Sequence, residues 1–147
     1  AISIALLIVF AFFSVIGEEF GKTISQQSEK DAKAQSIIKE LTIAAKQIND
    51  VGPRLIDDDT RLDGVSVGPG LRLTYHYTLL NYVTNDSTSK IIKSNFFSLV
   101  KERACLNSAL KQTMQEGVEF VYSYSDSSGS SVKYLIIDKK KCAPSSI

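Results

Sequence analysis

At 147 residues the chain holds one modest domain, and 17 basic against 16 acidic residues leave a net charge of +1 at pH 7. No global field therefore exists to hold nucleic acid. Two cysteines and one histidine are too few for a zinc site, and no nucleotide, cofactor or catalytic motif stands out, so the composition argues against an enzyme.

The first seventeen positions, Ala1 to Gly17, form an uncharged apolar run. Residues 1–21 are read as a membrane anchor, with Ile2, Leu6, Leu7, Ile8, Phe10, Phe12 and Phe13 meeting the lipid bilayer. The run is shorter than the ~20 residues that cross a bilayer core, so residues upstream of Ala1 would have to complete it. A cleavable signal ending at Val15-Ile16-Gly17 is the alternative, and a buried core helix is a third.

Residues 22–52 read as an amphipathic connecting helix, rich in Ala, Gln, Lys and Glu. Ile37, Ile38, Leu41, Ala44, Ala45 and Ile48 recur at steps of one, three and four, which makes one apolar stripe able to lie on a sheet. Gln26 to Lys33 has no such stripe, and Gly52-Pro53 ends the helix.

From Pro53 the period changes to two. Leu62, Val65 and Val67 precede the turn Val67-Gly68-Pro69-Gly70, and Leu71, Leu73, Tyr75, Tyr77 and Leu79 follow it on one strand face, which predicts a hairpin. Asn85 to Ser89 offers turn and cap residues before a helix over Lys90 to Glu116, with Ile92, Phe96, Leu99, Val100, Leu106, Leu110 and Met114 as its apolar positions. Gly117 stops that helix. Val118, Phe120, Tyr122 and Tyr124 alternate with more polar residues, Asp126 to Ser131 makes a turn, and Val132 to Asp138 returns as a fourth strand. The predicted class is α+β: a membrane helix continuing into an amphipathic helix, then a ββαββ antiparallel-sheet domain over 53–142, closed by a disulfide, with 143–147 as a tail.

Cys105 and Cys142 lie far apart, in neither a CxxC nor a zinc spacing, and are read as a disulfide. Such a bond persists in the periplasm or outside the cell, whereas two buried thiols in a cytoplasmic domain are the alternative. The charges after the apolar run are balanced and give no orientation of their own.

Few residues invite a sharper chemistry. His76 flanks Tyr75 and Tyr77 on the opposite strand face, where it meets solvent or a partner rather than a nucleophile. Asp57-Asp58-Asp59 with Asp63-Gly64 supplies oxygen ligands near a turn, but not at EF-hand spacing, and reads as a solvated turn with Arg54 and Arg61 as counter-charges. Lys139-Lys140-Lys141 reads as a solvated strand end. All six tyrosines fall in predicted strands. Most are expected to pack across strands under the helices, with Tyr82 and Tyr134 the exposed members that join His76 in a partner-facing surface.

The run Pro53 to Leu62, then Leu73-Thr74-Tyr75-His76-Tyr77-Thr78-Leu79, Cys105, Tyr122-Ser123-Tyr124-Ser125-Asp126, Gly129 and Cys142 resembles a group of uncharacterised small bacterial proteins, membrane-anchored or periplasmic, with one disulfide. That resemblance implies an extracytoplasmic disulfide domain and carries no activity. In plan, an apolar start, a long amphipathic helix, an antiparallel sheet and a late disulfide also resemble type IV pilin-like subunits. Those chains carry a glutamate near the start of the apolar segment, where Ala5 stands here.

The function expected from these readings is a non-catalytic, single-pass accessory or interaction protein of a bacterial membrane complex. Its C-terminal domain would lie in the periplasm beside the inner membrane, without cofactor or metal, against another membrane or periplasmic protein, with self-association left open. A pilin-like self-assembling subunit and a periplasmic immunity or inhibitor protein are the alternatives.

Overall fold

The computed structural model describes the backbone of residues 4–84 and 89–143 and the side chains of residues 25–84 and 95–143. Helix α1 (Ile4–Val51) is one run of 48 residues. The chain divides into two compact units, Ala1–Ile37 and Ile38–Ile147.

In the first unit, residues 25–33 are all exposed, and Gln27 Nε2 donates to Asp31 Oδ1 at 2.9 Å, one turn along. Helix propensity and pairs of this kind hold such a stretch, because no apolar face exists to be buried. The expectation of a membrane helix is corrected here, and with it the single-pass inner-membrane placement: among the described residues no helix is long and apolar enough to cross a membrane. From Ser25 onward the helix carries Gln26, Gln27, Glu29, Lys30, Asp31 and Lys33, which a bilayer core would not take. Of the anchor positions, Ile2 lies outside the described residues, as do the side chains of Leu6, Leu7, Ile8, Phe10, Phe12 and Phe13.

The second unit starts with the apolar stripe of α1. Leu41 and Ala45 are buried, with Ala44 and Ile48 half-buried beside them. Gly52 ends the helix in a left-handed conformation, φ +79°, its N–H donating to the Asn49 carbonyl at 2.9 Å. Strands β1 (Arg54–Leu55), β2 (Thr60–Val67) and β3 (Arg72–Leu79) follow as an antiparallel meander. The turn predicted at Asn85 to Thr88 lies outside the described residues. Next come α2 (Ser89–Leu106), α3 (Ser108–Gln115), β4 (Glu119–Asp126) and β5 (Ser131–Ile137).

The sheet has five strands in the order β1-β2-β3-β4-β5 and is mixed, which corrects the antiparallel four-stranded expectation. β4 runs parallel to β3, in register from Arg72 opposite Glu119 to Leu79 opposite Asp126. The physical reason is the connection: two helices lie between β3 and β4, and a crossover of that kind brings the chain back in the same direction, whereas only a tight turn makes a hairpin. The predicted single helix over 90–116 is also two. Asn107 sits at φ −71°, ψ 114°, and its side-chain oxygen accepts from the Leu110 N–H at 3.1 Å, so it caps α3 instead of continuing α2.

Leu73, Phe120 and Ile137 share one face across three strands, and Phe97 of α2 meets Tyr124 there at 5.3 Å between ring centroids. Val121 and Thr74 on the opposite face are buried as well. Met114, Val118, Val121 and Ile137 are the most deeply buried apolar side chains. Each contributes roughly 1.5–3 kcal/mol by leaving water. Cys105, at the end of α2, is bonded to Cys142 after β5.

Candidate functional site

A concavity lies where the turn between β1 and β2 faces the end of β3 and α2. It encloses about 470 Å³ and is lined by Asp57, Asp58, Asp59, Thr60, Leu79, Asn81, Tyr82 and Phe96. The turn is built from its own aspartates. Ile56 N–H donates to the Thr60 carbonyl at 2.8 Å, and the Asp59 N–H donates to Asp57 Oδ1 at 2.9 Å. That second bond holds the Asp57 carboxyl below the usual carboxylate range. The far end of β3 grips the same turn: Leu80 N–H donates to the Asp59 carbonyl at 2.7 Å, and Asn81 Nδ2 to Asp59 Oδ1 at 2.6 Å. Asp58 has no hydrogen-bond partner among the described residues. Arg61, expected as a counter-charge of this acidic group, pairs with its Asp63 at 2.6 Å.

Leu79, Tyr82 and Phe96 give this cavity an apolar side, continuous with the core cluster of Leu79, Tyr82, Phe97, Tyr124 and Val132. Tyr82 lies just past β3 rather than in a strand, and is only 8% exposed, unlike the exposed residue expected. Its hydroxyl is buried without a hydrogen-bond partner among the described residues. Phe96 stands edge-on to Tyr124 at 5.6 Å, and Tyr124 opens a ladder of stacked rings: Tyr124 to Tyr77 at 5.1 Å, Tyr77 to Tyr122 at 6.3 Å, Tyr122 to Tyr75 at 5.6 Å. Parallel in-register pairing sets Tyr75 opposite Tyr122 and Tyr77 opposite Tyr124, which makes the ladder possible. Burial pushes the Tyr77 phenol up to about 12 and raises those of Tyr75, Tyr122 and Tyr124.

The opposite face of the sheet is polar at its centre. His76 is exposed and its Nε2 lies 2.8 Å from Ser66 Oγ, while Thr78 Oγ1 donates to Asp63 Oδ2 at 2.6 Å. Tyr134, opposite Ser123 on β5, is 51% exposed. The structure therefore does not bring Tyr82, Tyr134 and His76 into one surface: Tyr82 belongs to the cavity and core, and the other two to the far face.

Two structural residues escaped sequence reasoning. Asn49 of α1 bonds both main-chain groups of Val65. Asp126 is buried and accepts from the Ser128 hydroxyl and from the Thr84, Ser128 and Ser130 N–H groups, at 2.6–2.9 Å. The Ser-rich run after Asp126 was a usable signal for the second, since short polar residues after an aspartate favour such turns.

No protein-family model and no curated protein matches the chain. Three solved structures match its fold. A Pseudomonas aeruginosa protein provisionally described as secreted is 23% identical, with a TM-score of 0.60 over 76% of this chain and 96% of that one. The pilotin EpsS of the Vibrio vulnificus type 2 secretion system is 10% identical, with a TM-score of 0.58 over 80% of this chain and 98% of that one. The type II secretion system pilotin AspS of Vibrio cholerae is 13% identical, with a TM-score of 0.54 over 76% and 97%. The chain shares the fold of these small bacterial proteins. None of the three is described as a pilin, and the expected pilin-like plan finds no support in them.

Proposed function

We propose that this chain is a non-catalytic accessory protein of a bacterial secretion complex, acting outside the cytoplasm through contact with another protein. The observation that carries this reading is its likeness in fold to two type II secretion pilotins, each covered almost end to end. The Cys105–Cys142 bond supports an oxidising compartment. The described polar clusters serve the architecture: Asp126 ties a turn, Asp63 holds Arg61 and Thr78, and His76 meets Ser66. Shared fold does not by itself bring shared function, so the test is functional.

Two measurements serve: the tagged full chain purified from its native host after crosslinking, and secretion measured in a strain lacking it. A stoichiometric secretion-complex component together with substrate retained in the cell is the expected result. A solitary chain with unimpaired secretion overturns the proposal.

A further inference from the structure

We propose that the cavity between the Asp57–Asp59 turn and α2 receives a basic side chain carried on an apolar segment of the protein partner, an inference that rests on the interaction role above. Charge complementarity carries it. Three aspartates line one side of a cavity whose other side is Leu79, Tyr82 and Phe96. No ion pair joins Arg54 or Arg61 to those aspartates among the described residues, because Arg61 is held by Asp63.

The chain as a whole carries +1, so the acidity is local to this wall and exerts no general pull on cations. Asp57 and Asp59 are fixed by the turn and by Asn81, while Asp58 is free to pair with an incoming ammonium or guanidinium. A lysine or arginine has the matching shape, an apolar stem for the aromatic side and a charged tip for the aspartates. Independent of the charges, Tyr82 lines the same cavity, is more than nine-tenths buried, and has a hydroxyl with no partner among the described residues. A buried donor left unpaired is costly, and a segment entering the cavity relieves it by drawing the ring's hydroxyl out toward one of its carbonyls.

The probes are short fluorescein-labelled peptides, one alternating leucine with arginine, one leucine with glutamate, and one serine with arginine, titrated against the full chain by fluorescence anisotropy. The leucine–arginine peptide is expected to bind tightest of the three. Asp58→Lys, at an exposed position with no bond to lose, is expected to weaken it about fivefold or more. Tyr82→Phe is expected to weaken it without unfolding the chain. Equal binding of the arginine and glutamate peptides, or binding unmoved by Asp58→Lys, overturns the site. A dimer that Asp58→Lys dissociates would seat a second copy there, through Lys139–Lys141, and would overturn the partner segment. Co-purification separates this site from the broader role: an Asp58→Lys chain that binds peptide normally and keeps its stoichiometric partner removes the site and leaves the role. A wild-type chain that binds the peptide as stated but recovers no partner removes the role.

Discussion

Asn49 holds Val65 by both of its main-chain groups: Asn49 Nδ2 donates to the Val65 carbonyl at 2.8 Å, and the Val65 N–H donates to Asn49 Oδ1 at 2.7 Å. β1 pairs with β2 only at Leu62 and Arg61, so beyond them β2 is a sheet edge. An edge presents main-chain groups that need partners, and one amide side chain at the end of α1 supplies what a neighbouring strand would.

Asn49→Ala removes both bonds and is expected to destabilise the domain by about 1–3 kcal/mol. Asn49→Asp keeps the acceptor for the Val65 N–H but sets a carboxylate oxygen against the Val65 carbonyl, so it is expected to recover little. Urea denaturation measures the loss, and faster hydrogen exchange at the Val65 amide locates it. An unchanged midpoint with unchanged exchange would show that the clamp is decorative.

Gly64→Ala tests the same clamp from the sheet side. A Cβ at Gly64 would stand 3.1 Å from Asn49 Oδ1, so the amide must give by a few tenths of an ångström, and its two bonds to Val65 oppose that. The expected cost is about 1–2 kcal/mol in the native chain and clearly less in the Asn49→Ala background. Simple additivity in the double-mutant cycle would mean that the two residues do not communicate.

The Cys105–Cys142 bond spans 37 residues and ties the end of α2 to the chain leaving β5. Closing a loop of that length removes unfolded-state entropy worth about 4 kcal/mol in the chain-entropy model. The Cys105→Ser, Cys142→Ser double variant is therefore expected to lose about 2–4 kcal/mol, and reduction of the native chain should shift its denaturation midpoint by the same amount. A reduced protein as stable as the oxidised one would refute this.

Local pattern revealed a strand face and a helix stripe. Leu73, Tyr75, Tyr77 and Leu79 alternate on one strand, and Leu41 and Ala45 of the predicted stripe are buried. The parallel pairing of β3 with β4 was not legible, because periodicity states that a strand exists and not which neighbour it chooses. Asn107 did carry its own warning, an asparagine ahead of Ser-Ala-Leu, but the surrounding apolar spacing reads smoothly through it. The aspartate turn was visible as a charge run. Its meaning as one wall of a cavity was not, since Leu79 and Phe96 reach it from distant positions. Asn49 and Val65 are likewise joined only by the tertiary fold.

The tyrosine ladder predicts alkaline behaviour. Burial raises the phenols of Tyr75, Tyr77, Tyr122 and Tyr124 above their ordinary value, with Tyr77 at about 12. A phenol whose folded pKa is raised favours the folded state fully below the unfolded value, about 10, and loses that contribution as pH climbs through the folded value. Stability is thus expected to fall above pH ~10, with phenolate absorbance rising late and together with loss of circular dichroism. Full ionisation of the four ladder tyrosines near pH 10 in a chain that stays folded would contradict the ladder's burial.

Asp126 makes the opposite prediction at the acid end. Its Oδ1 accepts from Ser128 Oγ at 2.6 Å and from the Ser128 and Ser130 N–H groups, both at 2.9 Å, while Oδ2 accepts from the Thr84 N–H at 2.8 Å. The Ser128 hydroxyl first, and the Thr84 N–H next, hold this carboxyl well below the usual carboxylate range. The contribution is fully present above the unfolded carboxyl value, about 3.9, and is lost as pH falls from there toward the folded value. Asp126→Asn separates the two ends of the network. An amide keeps one acceptor oxygen for the serine turn but turns an N–H₂ toward the Thr84 N–H, so two donors face each other where a bond stood. The variant is expected to keep the turn between β4 and β5 protected from exchange, to expose the Thr84 amide, and to flatten the acid limb of the stability profile. Asp126→Ala should lose both ends. An Asp126→Asn chain with the native acid limb and a protected Thr84 amide would show that charge on this carboxylate plays no part in holding β4 to the chain that follows β3.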